Sequence, residues 1–146
     1  MRENMGLYRG KTTKKKAGHW FVNFGGSDWN NLTAIYCSLL DASPLVESIT
    51  AVVGNSYQKL ESLTIFNKAT VLKNLTAQQM RDEMSCAEFA VLPSSSVCIE
   101  ALASGCKIAS GYYVDNQMDY FRRMSRERFI YPLGNLTRYD GNTFIA

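Results

Sequence analysis

Three short polar segments of the sequence contain the side chains best suited to bind a ligand. They are Gly25-Gly26-Ser27-Asp28, Ser94-Ser95-Ser96 with Glu100 about one turn later, and Asp115-Asn116-Gln117. Glycines let the backbone approach an oxyanion closely, and the hydroxyl and N–H groups at a helix start suit a diphosphate. A carboxylate accepts hydrogen bonds from vicinal sugar hydroxyls, and amide side chains both donate and accept. The segments are typical of a site for a phosphorylated ligand rich in hydroxyl groups.

Each segment also has a purely structural interpretation. The glycine pair fits a tight turn with Ser27 or Asp28 as a helix cap, because the pattern is neither a P-loop nor a complete GxGxxG. The three serines could simply cap a helix, with Glu100 solvated on its outer face. The third segment could begin a helix, with its aspartate as the cap and its two amides exposed. The residues alone leave these alternatives open.

Hydrophobic periodicity predicts the strands and helices that hold these segments. Short β-branched or aromatic runs alternate with amphipathic stretches after residue 18, which is typical of βα units on a parallel sheet. We predict strands at residues 20–24, 49–53, 69–72, 88–92 and 107–111, with a short sixth candidate at 129–131. Helices are predicted near residues 32–42, 55–63, 76–85, 94–104 and 115–123.

The predicted fold class is α/β: a three-layer α/β/α Rossmann-like domain with a mostly parallel, doubly wound sheet of five or six strands. Local signals set several of its boundaries. Thr76 and Gln79 have the spacing of a capping box, Pro93 should end the fourth strand, and Gly105 should end the following helix. In this architecture ligands bind outside the carboxyl ends of the strands, and all three polar segments follow such ends.

Composition describes a globular chain without membrane-spanning or metal-binding signals. No apolar run among the 146 residues approaches the roughly 18–20 residues of a membrane-spanning helix, and the first residues have no apolar segment after their charges, so we expect no signal peptide. We therefore expect one cytoplasmic domain without a transmembrane segment. Four cysteines without a CxxC pair and a single histidine predict no metal site and no cofactor. We expect reduced, mostly buried cysteines, and we expect His19 to be a surface or linker residue rather than a general base.

Positive charge is concentrated at the amino end. Residues 1–18 contain six lysines and arginines against Glu3, a net charge of +5, so the remaining residues carry −2 of the overall +3. We interpret residues 1–18 as a basic leader or interdomain connection ahead of a domain at 19–146. Because no aromatic interleaving or basic helix face is evident, we expect no nucleic-acid partner.

Two stretches carry a resemblance to a known family. FVNFGGSDWNNLT and AEFAVLPSSSVCIEALASGCKIASGYYVDNQMDYF resemble the C-terminal half of the UDP-sugar hydrolases of pseudaminic acid biosynthesis, which are similar to GT-B glycosyltransferases. The most specific feature is the order of paired serines, Glu100 in a helix, a strand, and Asn116-Gln117. The resemblance implies a Rossmann-like domain that binds a UDP-sugar.

The resemblance also implies roles for individual residues. Ser95 and Ser96 would hold the diphosphate, and Glu100 would contact the ribose hydroxyls. Asn116 and Gln117 would contact the sugar or the nucleotide. The residues that would line the cleft are Gly25, Gly26, Ser27 and Asp28.

In that family the active site lies between two Rossmann-like halves, and the histidine thought to activate water belongs to the N-terminal half. The catalytic residues are therefore unknown, and activity is expected to need such a half. The implied function is a UDP-sugar-binding domain of a glycosyltransferase or UDP-sugar hydrolase in surface polysaccharide or nonulosonic acid biosynthesis. In this domain the backbone near residues 72–74 would contact the uracil base. The alternative is a non-catalytic interaction module that docks on a separate N-terminal-half chain, with a homo-oligomer as another possible assembly.

Overall fold

The computed structural model of the protein describes residues 15–138, which build one six-stranded sheet with helices on both faces. The strands are β1 (Lys16–Asn23), β2 (Ser48–Val53), β3 (Ala69–Lys73), β4 (Ala87–Pro93), β5 (Lys107–Tyr112) and β6 (Ile130–Asn135). The helices are α1 (Leu32–Asp41), α2 (Ala77–Cys86), α3 (Ser96–Ala103) and α4 (Met118–Arg126). Each strand runs parallel to its neighbours, which confirms the predicted fold class with six strands. No helix within residues 15–138 is long and apolar enough to cross a bilayer.

The strand order is β3-β2-β1-β4-β5-β6, so the direction of winding reverses between β3 and β4. The chain first adds β2 and β3 on one side of β1 and then returns to place β4 on the other side. This reversal brings the carboxyl ends of β1 and β4 next to each other. In doubly wound sheets the crevice at this switch point is where ligands bind.

The two largest apolar clusters pack the helices against opposite faces of the sheet. On one face, Trp20, Val22 and Phe24 of the β1 segment pack with residues of α1. On the other face, Phe21 joins a cluster that includes residues of α2, α3 and α4. Because successive side chains of a strand alternate between faces, β1 supplies both cores and is fixed in register.

Two predicted boundary signals are confirmed. Thr76 Oγ1 accepts a hydrogen bond from the Gln79 backbone N–H at 3.1 Å, and Gln79 Oε1 accepts one from the Thr76 N–H at 2.9 Å, which completes the capping box of α2. Pro93 is the last residue of β4.

Two predicted helices differ from the structure. The helix expected at residues 55–63 is only a 3-10 turn at Leu60–Leu63. Here Ser62 Oγ donates to the Lys59 carbonyl at 2.6 Å and Thr64 Oγ1 donates to the Glu61 carbonyl at 2.9 Å, and such side-chain bonds compete with a regular helix. The last helix begins as a 3-10 turn at Asp115–Gln117 and continues as α4 to Arg126, past the predicted end at 123.

The amino end of the sheet includes residues that we assigned to the basic leader. β1 begins at Lys16, before the predicted start at Trp20, so the leader residues 16–18 belong to the sheet. Lys15 Nζ donates to the backbone carbonyls of Met84 at 3.1 Å and Ser104 at 2.6 Å, at the C-terminal ends of α2 and α3. A cation at these positions adds a charged donor to helix-terminal carbonyls and favours both helix dipoles. Residues 1–14 lie outside the described part of the chain.

Replacing Lys15 with alanine should lower the free energy of unfolding by about 1–2 kcal/mol, because two helix-terminal carbonyls lose a charged donor. Urea unfolding monitored by circular dichroism measures this change. The matched control is Lys73, which is exposed and has no side-chain hydrogen bond with another described residue. Lys73→Ala should change the value by less than about 0.5 kcal/mol, and equal effects of the two substitutions would contradict the capping role.

His19 is buried inside β1, so the prediction of a surface or linker residue is wrong. Its Nδ1 lies 2.6 Å from Ser48 Oγ and its Nε2 lies 2.9 Å from Thr50 Oγ1. The hydroxyls of the neighbouring strand therefore satisfy both ring nitrogens, which a single sequence does not reveal. Burial, together with the nearby charge of Lys16, lowers the pKa of His19 to about 4.

Protein stability should fall as the pH is lowered from about 6.5 to about 4. The unfolded state, in which the pKa of His19 is near 6.5, binds the proton across this range whereas the folded state does not. Because His19 is the only histidine, its ring resonances can be followed by proton NMR without assignment ambiguity. A titration midpoint near pH 6.5 in the folded protein would contradict the buried, neutral imidazole.

Candidate functional site

All three predicted polar segments lie in, or directly after, the loops that follow β1, β4 and β5, and these strands are neighbours in the sheet. Residues 24–31 connect β1 to α1, Ser94 and Ser95 connect β4 to α3, and residues 113–114 lead from β5 into the turn at Asp115–Gln117. Parallel strands end at the same edge of a sheet. The candidate site is therefore the carboxyl edge around the β1–β4 switch point.

Asp28 caps α1 from three residues before the N-cap position, which Asn31 occupies without a side-chain hydrogen bond to the helix. Its carboxylate accepts hydrogen bonds from the Leu32 N–H at 2.9 Å, the Thr33 N–H at 2.7 Å and the Thr33 hydroxyl at 2.6 Å. The residue is buried and its backbone lies in the left-handed region, with φ 46°. Two of these bonds use backbone N–H groups that a phosphate at the start of α1 would need, so this carboxylate shapes the loop instead of facing a ligand.

The glycine pair ahead of Asp28 lies against the end of β2. A Cβ atom on Gly54 would stand 2.6 Å from Gly26 Cα, so only glycine permits this approach of two backbones. A Cβ on Gly26 would meet no atom within 4 Å. Gly25 and Gly26 are exposed, and Ser27 beside them is partly exposed. The turn thus exposes the backbone atoms of Gly25 and Gly26 to solvent at the switch point.

Tyr113 connects the β5 loop to the glycine turn. A Cβ on Gly25 would lie 4.0 Å from the Tyr113 hydroxyl. Since β4 lies between β1 and β5, this side chain crosses the carboxyl end of β4. The approach of Tyr113 to the glycine turn depends on strand order, which no local sequence pattern reports.

The N-terminus of α3 has no side-chain cap. Ser95 occupies the N-cap position in an extended conformation, with φ −156° and ψ −170°, and accepts no side-chain hydrogen bond from the helix. Ser94 faces inward, where its hydroxyl lies 2.9 Å from that of Ser110 and its N–H donates to the Gly111 carbonyl at 2.8 Å. The hydroxyls of Ser95 and Ser96 have no hydrogen bond with another residue of the described chain. The first turn of α3 is therefore open to a ligand.

The remaining predicted residues divide into exposed and buried groups. Glu100 and Asn116 are exposed and make no side-chain hydrogen bond within residues 15–138. Gln117 is buried, and its Oε1 accepts a hydrogen bond from the Tyr113 N–H at 2.9 Å. Gln117 thus holds the β5 loop in place. Asp115, the expected cap, makes no capping hydrogen bond.

The backbone expected to meet uracil lies at a different part of this edge. Residues 72–74 form the end of β3 and the position after it, and β2 and β1 separate β3 from β4. At the usual strand spacing this is about 14 Å across the sheet. Asn74 has φ 57°, and its amide donates to Asn55 Oδ1 at 3.1 Å.

The chemistry available at this edge is hydrogen bonding and anion binding. Within residues 15–138 no group of three or more His, Cys, Asp or Glu side chains could hold a metal ion. His19 pairs with Ser48, the first residue of β2, and so lies toward the amino edge of the sheet. None of the four cysteines forms a disulfide in the described structure, and burial raises the pKa of Cys37 to about 12. That thiol is not a nucleophile at neutral pH.

Comparison with models of known protein families gives no match for this chain, and comparison with curated proteins gives none either.

Replacing Asp28 with asparagine should lower the free energy of unfolding by about 1–2 kcal/mol, because a buried carboxylate that caps α1 is lost. Asparagine tolerates the left-handed conformation, so the substitution tests the hydrogen bonds and not the backbone. Asp115→Asn is the control with the same charge change, and it should alter stability by less than about 0.5 kcal/mol. Urea unfolding of the two variants measures both values, and an Asp28→Asn protein as stable as the wild type would contradict the capping role.

Proposed function

We propose that this chain binds a UDP-sugar at the carboxyl edge of β1 and β4, as the nucleotide-sugar-binding domain of a GT-B-like glycosyltransferase or UDP-sugar hydrolase. The pathway class is surface polysaccharide or nonulosonic acid biosynthesis. The observation that carries the proposal is the open N-terminus of α3 at the switch point, in contrast to the capped N-termini of α1 and α2. The resemblance of the sequence to the UDP-sugar hydrolases supplies the ligand class.

The diphosphate is assigned to the start of α3. Free N–H groups in the first turn and the positive end of the helix dipole favour an anion, and Ser95 and Ser96 add two hydroxyl donors. The exposed backbone of Gly25 and Gly26 comes from the neighbouring strand and leaves room for the phosphate oxygens. α1 does not compete for the anion, because Asp28 occupies its first N–H groups.

The ribose and the sugar are assigned to the flanking residues. Glu100 lies four residues after Ser96, which is about 6 Å along the axis of α3, so its carboxylate can accept from a diol attached to the diphosphate. Asn116 is exposed beyond β5 and can donate and accept. Gln117 Oε1 is already bonded to Tyr113, so its contribution to a ligand is limited to its amide N–H groups.

Binding of UDP and of UDP-N-acetylglucosamine by the wild-type chain, measured by isothermal titration calorimetry, tests the proposal. Ser95→Asp should abolish binding, because a carboxylate at the N-cap satisfies the N–H groups of α3 and repels a diphosphate, while it should not lower protein stability. Asn67→Asp adds the same charge at an exposed position before β3, at the opposite edge, and should bind like the wild type.

No heat of binding by the wild type at millimolar ligand would overturn the proposal. Equal affinity of Ser95→Asp and the wild type would overturn the assignment of the diphosphate to α3. Thermal unfolding of each variant confirms that any lost binding does not reflect lost structure.

A second function is an interaction module that docks on a separate chain. Exposed apolar side chains at or near the carboxyl edge favour it: Trp29 is 72% exposed, Ile99 54% and Val114 44%. Trp29 lies in a turn in which the Asn31 N–H donates to the Asp28 carbonyl at 2.9 Å. Light scattering after size exclusion separates the two functions, since a dimer without nucleotide affinity favours docking and a monomer with nucleotide affinity favours the UDP-sugar site.

A further inference from the structure

α4 presents a basic helix face that the sequence pattern did not reveal. Arg122, Arg123 and Arg126 are exposed on this helix, and exposed Arg128 follows its end. None of the four guanidinium groups has a hydrogen bond or ion pair with another residue in the described range 15–138. We call these four residues, together with Phe129, the arginine surface.

Helical geometry places the arginines away from the sheet. Phe121 and Met124 face inward, where Met124 is buried and the Phe121 ring meets the edge of Tyr112 at a centroid distance of 5.1 Å. Arg122, Arg123 and Arg126 occupy the opposite face, which they share with Asp119. Asp119 and Glu127 offset part of the charge of the four arginines and leave a net charge of +2 on residues 118–129.

Only some of these arginines stabilise the helix on which they lie. Arg123 and Arg126 lie in the last turn of α4 and favour the helix dipole. Arg122 and Arg126, four residues apart, repel each other. Arg128 has φ 63°, in the left-handed region where glycine is preferred. Arg122, Arg126 and Arg128 thus each have either a repulsive charge contact or a backbone conformation that is unfavourable in the isolated domain.

The end of α4 also presents an apolar ring. The Arg128 N–H donates to the Ser125 carbonyl at 3.1 Å and the Phe129 N–H donates to the Met124 carbonyl at 2.9 Å, the pattern of a Schellman motif. The residue at the position of Phe129 usually packs back on the helix, yet Phe129 is 51% exposed. An exposed aromatic side chain therefore follows Arg128 directly in the chain.

We propose that the arginine surface binds an anionic phospholipid bilayer. Guanidinium groups match phosphate oxygens, and the exposed aromatic side chain of Phe129, next to Arg128 in the chain, suits the interfacial layer of a bilayer. α4 packs on β5 and on the edge strand β6, which leaves its arginine-bearing face directed away from the sheet. Binding to a bilayer needs no groove, whereas single-stranded nucleic acids usually occupy one. Repulsion between arginines disfavours binding to the same surface of a second copy.

The bound domain would keep its candidate site accessible. Phe129 precedes the first residue of β6 and therefore lies at the amino edge of the sheet, whereas the proposed UDP-sugar site is at the carboxyl edge. The arginine surface shares no residue with that site, so failure of UDP-sugar binding would not contradict membrane binding.

Vesicle flotation of the full chain tests the proposal, with vesicles of phosphatidylcholine alone and vesicles in which about one third of the lipid is phosphatidylglycerol, at about 0.1 M salt. The wild type should bind the anionic vesicles only. The double variant Arg123→Glu with Arg126→Glu should bind at least about tenfold more weakly. The control, Lys73→Glu with Arg81→Glu, makes the same charge change at exposed positions of β3 and α2 and should bind like the wild type.

Arg128→Gly gives a second variant that is expected to fold, because glycine favours the left-handed conformation, and it should also weaken vesicle binding. Three results would overturn the proposal: no binding of the wild type to anionic vesicles, an equal loss of binding by the arginine and control variants, or binding to a single-stranded oligonucleotide that the arginine variant loses while vesicle binding is unchanged. Circular dichroism of each variant shows that the comparison is made between folded proteins.

Discussion

The parallel pairing of β1 with β4 is the constraint on which the arrangement of this domain depends. β1 lies between β2 and β4, so the chain must reverse its winding after β3, and the loops after β1 and β4 must leave the sheet side by side. Phe21 and Val22 point into opposite cores and are fully buried. A one-residue shift of β1 would exchange their faces, so the packing of the central strand fixes the position of both loops.

The helix N-termini at the carboxyl edge differ in how their free N–H groups are satisfied. Asp28 binds those of α1, and the Thr76 capping box binds one at the start of α2. α3 follows an extended Ser95 and has no side-chain cap, so its N–H groups are left for water or a ligand. This contrast, and not the presence of serines alone, directs the proposed diphosphate to α3. The glycine turn and the β5 loop, held by Gln117, border the same space.

Local sequence patterns were sufficient to predict the layers, the fold class and several boundaries of strands and helices. The alternation in β1, the Thr76 capping box and the strand end at Pro93 each depend only on neighbouring residues. Long-range contacts decided the rest. Lys15 reaches carbonyls 69 and 89 positions away, and His19 is buried because β2 supplies hydroxyls to its ring. The same limit applies to the candidate site: the segments were predicted, but the engagement of Asp28 and the reach of Tyr113 across β4 follow from tertiary structure.

We propose the open start of α3 as the anion site of the domain. A proton–nitrogen NMR titration of the wild-type chain with UDP tests this, because it reports the environment of each backbone N–H. We expect the largest shift changes at Ser95, Ser96 and Val97, smaller changes at Gly25 and Gly26, and little change at Leu32 and Thr33, whose N–H groups Asp28 already binds. Unchanged resonances at α3 with saturating UDP, or changes centred on α1, would contradict it.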